Sequence, residues 1–429
     1  MSDDGGFGIE VDHNEYMSEG DTVVDAIVTV ESTGDGNVEA PAAGAGFVQV
    51  IMVDCSGSMI GSRIAEAKRA TLAAIDALRE GDRFAIIAGS FTGQMVFPAH
   101  EGTVAADKAT RRAAKRAVDR LQAGGGTAMG TWLEVANRIL APSPAGVKYG
   151  LLLSDGHNQH ETEEELRAAL TNCAGNFVCN SCGIGSEWQG AEMRLIADQL
   201  LGTAMGLPDA QHWAEQFTAL TRSAMRKTLG DVTLRVFTPA RNTIRFIKQM
   251  SPNLVDLTGR RAELDGKTGD YPTGTWGAET REFHVSVAVP PIQPNDDRLA
   301  ARVTLVSGGE ELARGMITAH WTGDTLLSTK INPRVAHHTG QAELAAAIQE
   351  GVAAAKSGDN ETATDKLGRA VELAKEVGNE GTARLLAKVV DVDAATGTVH
   401  MKPKVNAVDL EMADVESVKT VTVRKQPDA

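Results

Sequence analysis

The chain has 429 residues, 42% of them hydrophobic, and a formal net charge of −15. That length leaves room for two or three domains with real cores, and so acidic a balance without a basic stripe argues against a nucleic-acid surface, which needs a local excess of Lys and Arg. No apolar run approaches the length that spans a bilayer, and the MSDDGGFG start lacks the basic and apolar segments of a signal peptide, so a cytoplasmic protein without membrane or nucleic-acid partners is expected.

In chain order, residues 7–13 and 23–31 read as strands. In the second, Val24, Ala26, Val28 and Val30 alternate with Asp25, Ile27, Thr29 and Glu31, the mark of a half-buried antiparallel strand. Residues 33–46 form a Gly/Ala/Pro-rich connection. At 47–59, FVQVIMVDCSGSM, the grammar changes. Val48, Val50, Ile51, Met52 and Val53 have the near-continuous hydrophobicity of a strand covered on both faces, which puts Asp54 at the C-terminal edge of a buried parallel sheet, where ligands bind.

From there strand and helix alternate. Ile64, Ala67, Thr71, Ile75 and Leu78 share one helical face, and Gly81 supplies a stop. Strands follow at 83–89 and 94–98, then a charged helix over 106–121. The loop Gly124-Gly125-Gly126-Thr127 opens a helix that runs to Leu140. YGLLLSD (149–155) is a second buried strand ending in a carboxylate, and Thr162-x-x-Glu165 is a capping box that opens the next helix. A strand over 176–185, a short run at 203–207 and a helix over 209–227 complete the pattern. Such alternation predicts an α/β fold: a Rossmann-like, mainly parallel sheet with helices on both faces.

After Gly230 the segments 232–237, 243–249, 283–289, 299–306 and 313–320 read as short strands, and Phe283, Val285, Val287 and Val289 alternate with polar or small residues. This predicts a β-sandwich. Two N-terminal strands alone are marginal in water, so they are expected to join these five in a discontinuous sandwich of about seven strands with the α/β domain inserted. Ala-rich helices follow at 341–356 and 360–377 around Ser357-Gly358-Asp359, with a third at 381–390. Ala347, Ala354, Ala363, Leu367 and Ala370 resemble a single tetratricopeptide-type hairpin, which cannot bury its own face and must pack on something else. From Ala394 a tail carries β-like runs at 398–402 and 420–424 around an acidic segment, with Ser417, Thr420 and Thr422 as candidate phospho-acceptors. The expected division is therefore 1–45, the N-terminal sandwich strands; 46–230, the α/β domain; 231–330, the rest of the sandwich; 331–393, the helical hairpin; and 394–429, the tail.

Five hard oxygen side chains can converge at one sheet edge: Asp54, Ser56, Ser58, Thr127 and Asp155. Hydroxyls plus carboxylates with no soft ligand suit Mg²⁺ above all, with Mn²⁺ or Ca²⁺ as substitutes. Asp54-x-Ser56-x-Ser58, then Thr127, then Asp155 resembles the complete metal-ion-dependent adhesion site of the von Willebrand factor A (VWA) family. That resemblance implies a non-catalytic module whose cation takes an Asp or Glu from a protein partner. His157, Asn158, Glu187 and Trp188 are expected around the rim. Over the whole chain the sequence resembles bacterial, especially actinobacterial, VWA proteins associated with tellurite-resistance-type stress systems and with Ser/Thr kinases and phosphatases. The alternative is a regulatory subunit of an AAA+ machine, as in MoxR-linked or magnesium-chelatase-like VWA proteins.

Other chemistry fits less well. A haloacid-dehalogenase-type phosphatase needs a second Asp two residues beyond the first, where Ser56 stands, and there is no Walker loop or G-x-S-x-G elbow. A hydrolase would need His157 or His160 as a base beside a serine, but both read as solvated loop residues. Cys179-x-x-Cys182 lies in a strand, where residues three apart face opposite ways, so buried thiols are expected, with a three-cysteine metal site including Cys173 as the other reading. Cys55 is expected to pack.

Overall fold

The structure, a computed structural model, describes residues 6–33, 46–185, 187–290, 297–329, 332–392 and 399–421. The expected connection over 33–46 lies almost wholly outside them. The chain forms two compact units, Val38–Gly230 with Gly274–Gly277, and the remainder.

In the first unit five strands run parallel in the order Ala204–Leu207, Val178–Ile184, Val147–Ser154, Phe47–Asp54 and Arg83–Gly89. Gly93–Phe97 closes one edge antiparallel to Arg83–Gly89. Every residue of the central strand Phe47–Asp54 is buried. On one face Ile51, Val53, Ile86, Leu151 and Leu153 pack with Ala67, Ala74, Val118 and Phe217 of surrounding helices. On the other face the helix Met129–Leu140 packs on Val147–Ser154, Phe47–Asp54, Arg83–Gly89 and the edge strand Gly93–Phe97. Each such aliphatic side chain stabilises the fold by about 1.5–3 kcal/mol on leaving water, so the sheet does not depend on the carboxylate at its rim.

All four cysteines are buried and free. Burial pushes the Cys55 and Cys173 thiols up to about 12 and raises those of Cys179 and Cys182 as well. Among the described residues no three His, Cys, Asp or Glu are placed to share a metal ion, which removes the three-cysteine reading. Since the thiolate is the reactive form, Ellman's reagent is expected to modify these thiols only on unfolding. Prompt reaction of any one in the native protein would contradict their burial.

In the second unit the N-terminal strands join those that follow Gly230. Val23–Ser32 lies between Phe7–His13 and Glu279–Ala288, in a five-stranded sheet completed by Thr243–Ser251 and Val255–Asp256. The other sheet runs Ala262–Asp265, Thr268–Trp276, Leu229–Phe237, Asp297–Ser307, Glu310–Thr322 and Tyr16–Ser18. The two sheets make a β-sandwich into which the α/β domain is inserted in sequence. Eleven strands, five and six, replace the expected seven among the described residues. The long strand Thr268–Trp276 escapes sequence reading because its buried face is Gly269, Tyr271, Thr273 and Thr275, with Pro272 between them. Val23–Ser32 is also buried on both faces over Ala26–Val30, and so differs from the half-buried strand expected. Its second face meets a helix.

That helix is Pro333–Ser357, which begins eight residues before the expected start. Asn332 caps it by accepting from the Arg334 and Val335 N–H groups, and Pro333 takes the first-turn place where its missing N–H is harmless. It packs against Asn360–Glu376 around Ile348, Val352, Leu367 and Ala370. Glu380–Val389 adds the third helix, and a two-stranded ribbon, Val390–Val392 with Val399–Met401, follows. The acidic part of the tail is a helix, Ala407–Glu416, capped by Asn406. The helices thus close on one another and on the sandwich, so they are not a lone repeat hairpin. Ser417 is buried, donating to the Asp414 carbonyl at 2.7 Å and accepting from Gln349 at 3.0 Å, and Thr420 donates to the Met250 carbonyl. Both hydroxyls are therefore poor phospho-acceptors; Thr422 lies outside the described residues. Among the described residues no helix is long and apolar enough to cross a membrane.

Candidate metal centre

Parallel pairing sets Val53 opposite Leu153, so Asp54 and Asp155 emerge at neighbouring strand ends. Asp54 turns back on its own loop: Oδ1 accepts the Ser56 N–H at 2.7 Å and Oδ2 accepts the Ser154 hydroxyl at 2.5 Å. This is the usual use of an Asp side chain to shape a turn two residues on. Ser58 Oγ lies 2.6 Å from Asp155 Oδ1 and donates to it. With that proton committed, the 2.8 Å contact between the two serine hydroxyls must have Ser56 as donor. Ser56, Ser58 and Asp155 therefore form one bonded chain of oxygens, to which Asp54 is tied through the Ser56 N–H.

Thr127 arrives from another loop. The Gly57 N–H donates to the Gly125 carbonyl at 2.9 Å and Gly124 N–H to the Cys55 carbonyl at 2.7 Å, tying the two loops together. A Cβ built on Gly156 would lie 3.5 Å from Ser58 Oγ and 3.6 Å from Thr127 Oγ1, so both hydroxyls open on the same space. The five oxygens expected from sequence thus group at the C-terminal edge of the sheet.

Two residues not anticipated hold them there. His160 Nδ1 accepts the Thr127 N–H at 3.1 Å while the His160 N–H donates to the Thr127 carbonyl at 3.0 Å, so this loop histidine grips the threonine from both sides. The ring sits against Gly126, where a Cβ would come within 2.2 Å of it; glycine is required there by close approach. Arg63, in the first turn of Ser62–Ala77, donates from Nη1 to Asp155 Oδ2 at 2.8 Å and to the Ser58 carbonyl at 3.2 Å. It also reaches Glu187 Oε1 at 3.4 Å. The bond to Asp155 raises the guanidinium pKa above its ordinary value.

The rim differs from expectation. Trp188 is fully buried, its indole packed where a side chain on Gly183 would stand and its N–H donating to the Gly185 carbonyl at 3.2 Å. Asn158 and Glu161 serve the helix Met129–Leu140, which lacks a cap of its own at Ala128. Asn158 Oδ1 accepts the Met129 N–H at 3.0 Å and Glu161 Oε1 the Gly130 N–H at 2.6 Å, satisfying orphan donors and setting a carboxylate at the positive helix end. Glu187 is exposed, as a rim residue should be. Two apolar side chains flank the opening, Ile60 just after the serine turn, 68% exposed, and Phe91, 54% exposed, whose ring lies against Gly125 and edge-on to His160.

Burial pushes the Asp54 carboxyl up to about 6, against the bonds from Ser154 and Ser56 that favour its charged form. A buried acid so perturbed is one a cation would relieve. The oxygen separations of 2.6 and 2.8 Å also approach the spacing of adjacent oxygens on an octahedral Mg²⁺, about 3 Å for bonds of 2.0–2.1 Å. The donor set fits such an ion.

A family model described as von Willebrand factor type A domain matches residues 49–205, and one described as von Willebrand factor type A C-terminal domain matches 372–417. A von Willebrand factor type A structure from Catenulispora acidiphila is 45% identical over 99% of both chains, with a TM-score of 0.93. The ArnB paralog VWA2 of Sulfolobus acidocaldarius, 14% identical, covers 96% of this chain and 98% of its own with a TM-score of 0.63, a likeness of fold. An uncharacterized protein of Synechocystis sp. is 26% identical over 213 residues, 48% of this chain and 49% of that protein, so the match spans about half the length of that relative. With near-complete coverage at 45% identity added to the family match, the chain belongs to the von Willebrand factor type A family.

Proposed function

We propose that Asp54, Ser56, Ser58, Thr127 and Asp155 hold a divalent cation, Mg²⁺ by preference, and that the protein uses it to capture an Asp or Glu side chain of a protein partner. The observation that carries this reading is the bonded run of hydroxyl and carboxylate oxygens from Ser56 through Ser58 to Asp155, with Asp54 tied to it by the Ser56 N–H and Thr127 opening on the same space. A bound cation would supply an exchangeable position for one incoming oxygen. The protein's own groups do the rest. The two carboxylates neutralise the ion, His160 fixes Thr127, Asn158 and Glu161 hold the intervening loop on a helix end, and Ile60 and Phe91 offer apolar contact beside the opening.

Binding is favoured over hydrolysis by the use made of the candidate bases. His160 Nδ1 is spent on the Thr127 backbone, and His157 faces Gln159 at 3.5 Å, so neither addresses a serine hydroxyl. We keep intracellular stress or phospho-signalling as the setting, with a Ser/Thr kinase or phosphatase as the first partner class to seek.

Calorimetry tests the metal directly. Wild type is expected to bind Mg²⁺ and Asp54→Ala to bind none while remaining folded, because the core lies in the aliphatic faces of the sheet. Equal binding by both proteins would end the metal reading. Partner capture in a pull-down should vanish with EDTA; recovery of an AAA+ ATPase would redirect the assignment to a regulatory subunit of that machine.

A further inference from the structure

Arg63 joins the oxygen chain to the outer surface. Its guanidinium contacts buried Asp155 at 2.8 Å on one side and Glu187 at 3.4 Å on the other, with side chains 31%, 0% and 58% exposed for Arg63, Asp155 and Glu187. The inner contact is short and anchored by a second bond to the Ser58 carbonyl. The outer one is long, and exposed ion pairs of that kind contribute little. Glu187 is therefore a carboxylate held loosely beside the place where a partner's carboxylate would enter.

The charges give this arrangement a use. Asp54 and Asp155 together match a divalent ion, so the loaded centre offers an acidic partner no net attraction, and the protein as a whole, at −15, repels one. Arg63 restores a positive charge at the entrance, and Glu187 cancels it again. On this basis, and resting on the metal reading above, the geometry points to Arg63 as a second anchor for the partner, with Glu187 as an internal carboxylate that the partner displaces. The ligand it fits is a protein segment with two carboxylates close together, one for the cation and one for the guanidinium. Exchange of Glu187 for the second carboxylate conserves charge and replaces a 3.4 Å contact by one free to take the shorter, forked geometry that guanidinium and carboxylate prefer. Arg63 thus selects for acidic pairs over single acidic residues.

Two synthetic peptides test this by NMR titration in Mg²⁺, one with a single Glu among glycines and one with two Glu separated by one Gly. Two equivalent carboxylates give any single site a preference of about twofold by statistics alone, and wild type is expected to exceed that factor by roughly twofold to fivefold, the equivalent of one exposed ion pair. Glu187→Gln should raise its affinity for that peptide by a similar factor. Arg63→Gln should keep the statistical factor alone while its own Mg²⁺ affinity rises, because a positive charge has left the neighbourhood of Asp155. That opposite movement also shows the variant to be folded. The anchor is overturned if Arg63→Gln still discriminates beyond the statistical factor, if Glu187→Gln leaves the two-Glu affinity unchanged, or if Arg63→Gln loses Mg²⁺. Wild type that takes up no Mg²⁺ overturns the metal reading and this proposal with it. Wild type that binds Mg²⁺ but shows the statistical factor alone sinks the anchor and leaves the metal reading standing.

Discussion

In EDTA near neutral pH, Asp54→Asn is expected to melt above the wild type, an unusual direction for a change at a buried polar position. The Asp54 carboxyl is fully buried and titrates at about 6 in the fold against an ordinary 3.8. A raised folded value means that the native state holds its proton more tightly than the unfolded chain does, so stability is lost as pH rises from about 4 to about 6 and stays low above that. A shift of this size corresponds to about 3 kcal/mol, borne in full near neutral pH when no cation is present. Asparagine removes the charge and keeps the contacts: its carbonyl can accept the Ser56 N–H, and its amide can donate to Ser154 Oγ, whose own proton has the Gly156 carbonyl 3.2 Å away.

Saturating Mg²⁺ should reverse the order. Ligand at about a thousand times its dissociation constant stabilises the wild type by about 4.1 kcal/mol, more than the buried charge costs, and Asp54→Asn should gain little. The wild-type gain should shrink on acidification below about pH 6, where proton and cation compete for the same oxygen. Thermal melts of both proteins with and without Mg²⁺ at several pH values check all of this. A variant that melts below the wild type in EDTA would mean that Asp54 is not a charge under strain.

The site was legible where its signal is local and hidden where it is not. Asp54, Ser56 and Ser58 lie within five residues, and Thr127 and Asp155 stand at a glycine loop and a strand end that pattern alone can place. Arg63 and His160 act across 92 and 33 residues, and nothing in their own neighbourhoods distinguishes them from solvated surface residues. Trp188 departs from expectation for the converse reason: a tryptophan in a loop looks like a rim residue until Gly183 is seen to leave room for its indole. The same limit explains the fold. Strands with alternating aliphatic residues, such as Glu279–Ala288, are plain in the sequence, whereas Thr268–Trp276 builds its buried face from hydroxyls, glycine and one tyrosine. The early start of Pro333–Ser357 is signalled by Asn332-Pro333 but obscured by the polar run His337-His338-Thr339, in which His338 alone is buried, against Glu282 of the sandwich.

That polar run supplies the other large effect, because the first turns of Pro333–Ser357 meet the sandwich through charges. Glu282, 1% exposed, is paired with Arg334 and lies with Oε2 3.1 Å from His338 Nε2; Arg334 also reaches Asp12 at 2.5 Å and donates to Thr29 at 2.9 Å. Removing one partner of such a buried set strands the other without solvent, which costs about 3–5 kcal/mol, whereas removing both together costs far less. Arg334→Met is therefore expected to lose that much, and Arg334→Met with Glu282→Gln to recover most of it, in urea unfolding followed by circular dichroism. Acid should act on the same contact. Burial alone would raise the Glu282 pKa, but the His338 bond and the Arg334 charge outweigh it and hold the carboxyl below its ordinary 4.5. A lowered folded value contributes stability that is present above about pH 4.5 and is lost as pH falls through the folded value, so the wild type should loosen there and the double variant should not. Hydrogen exchange over Pro333–Ser357 locates the effect. An Arg334→Met protein within about 1 kcal/mol of wild type would show that the aliphatic contacts of this helix, and not its charges, hold it to the sheet.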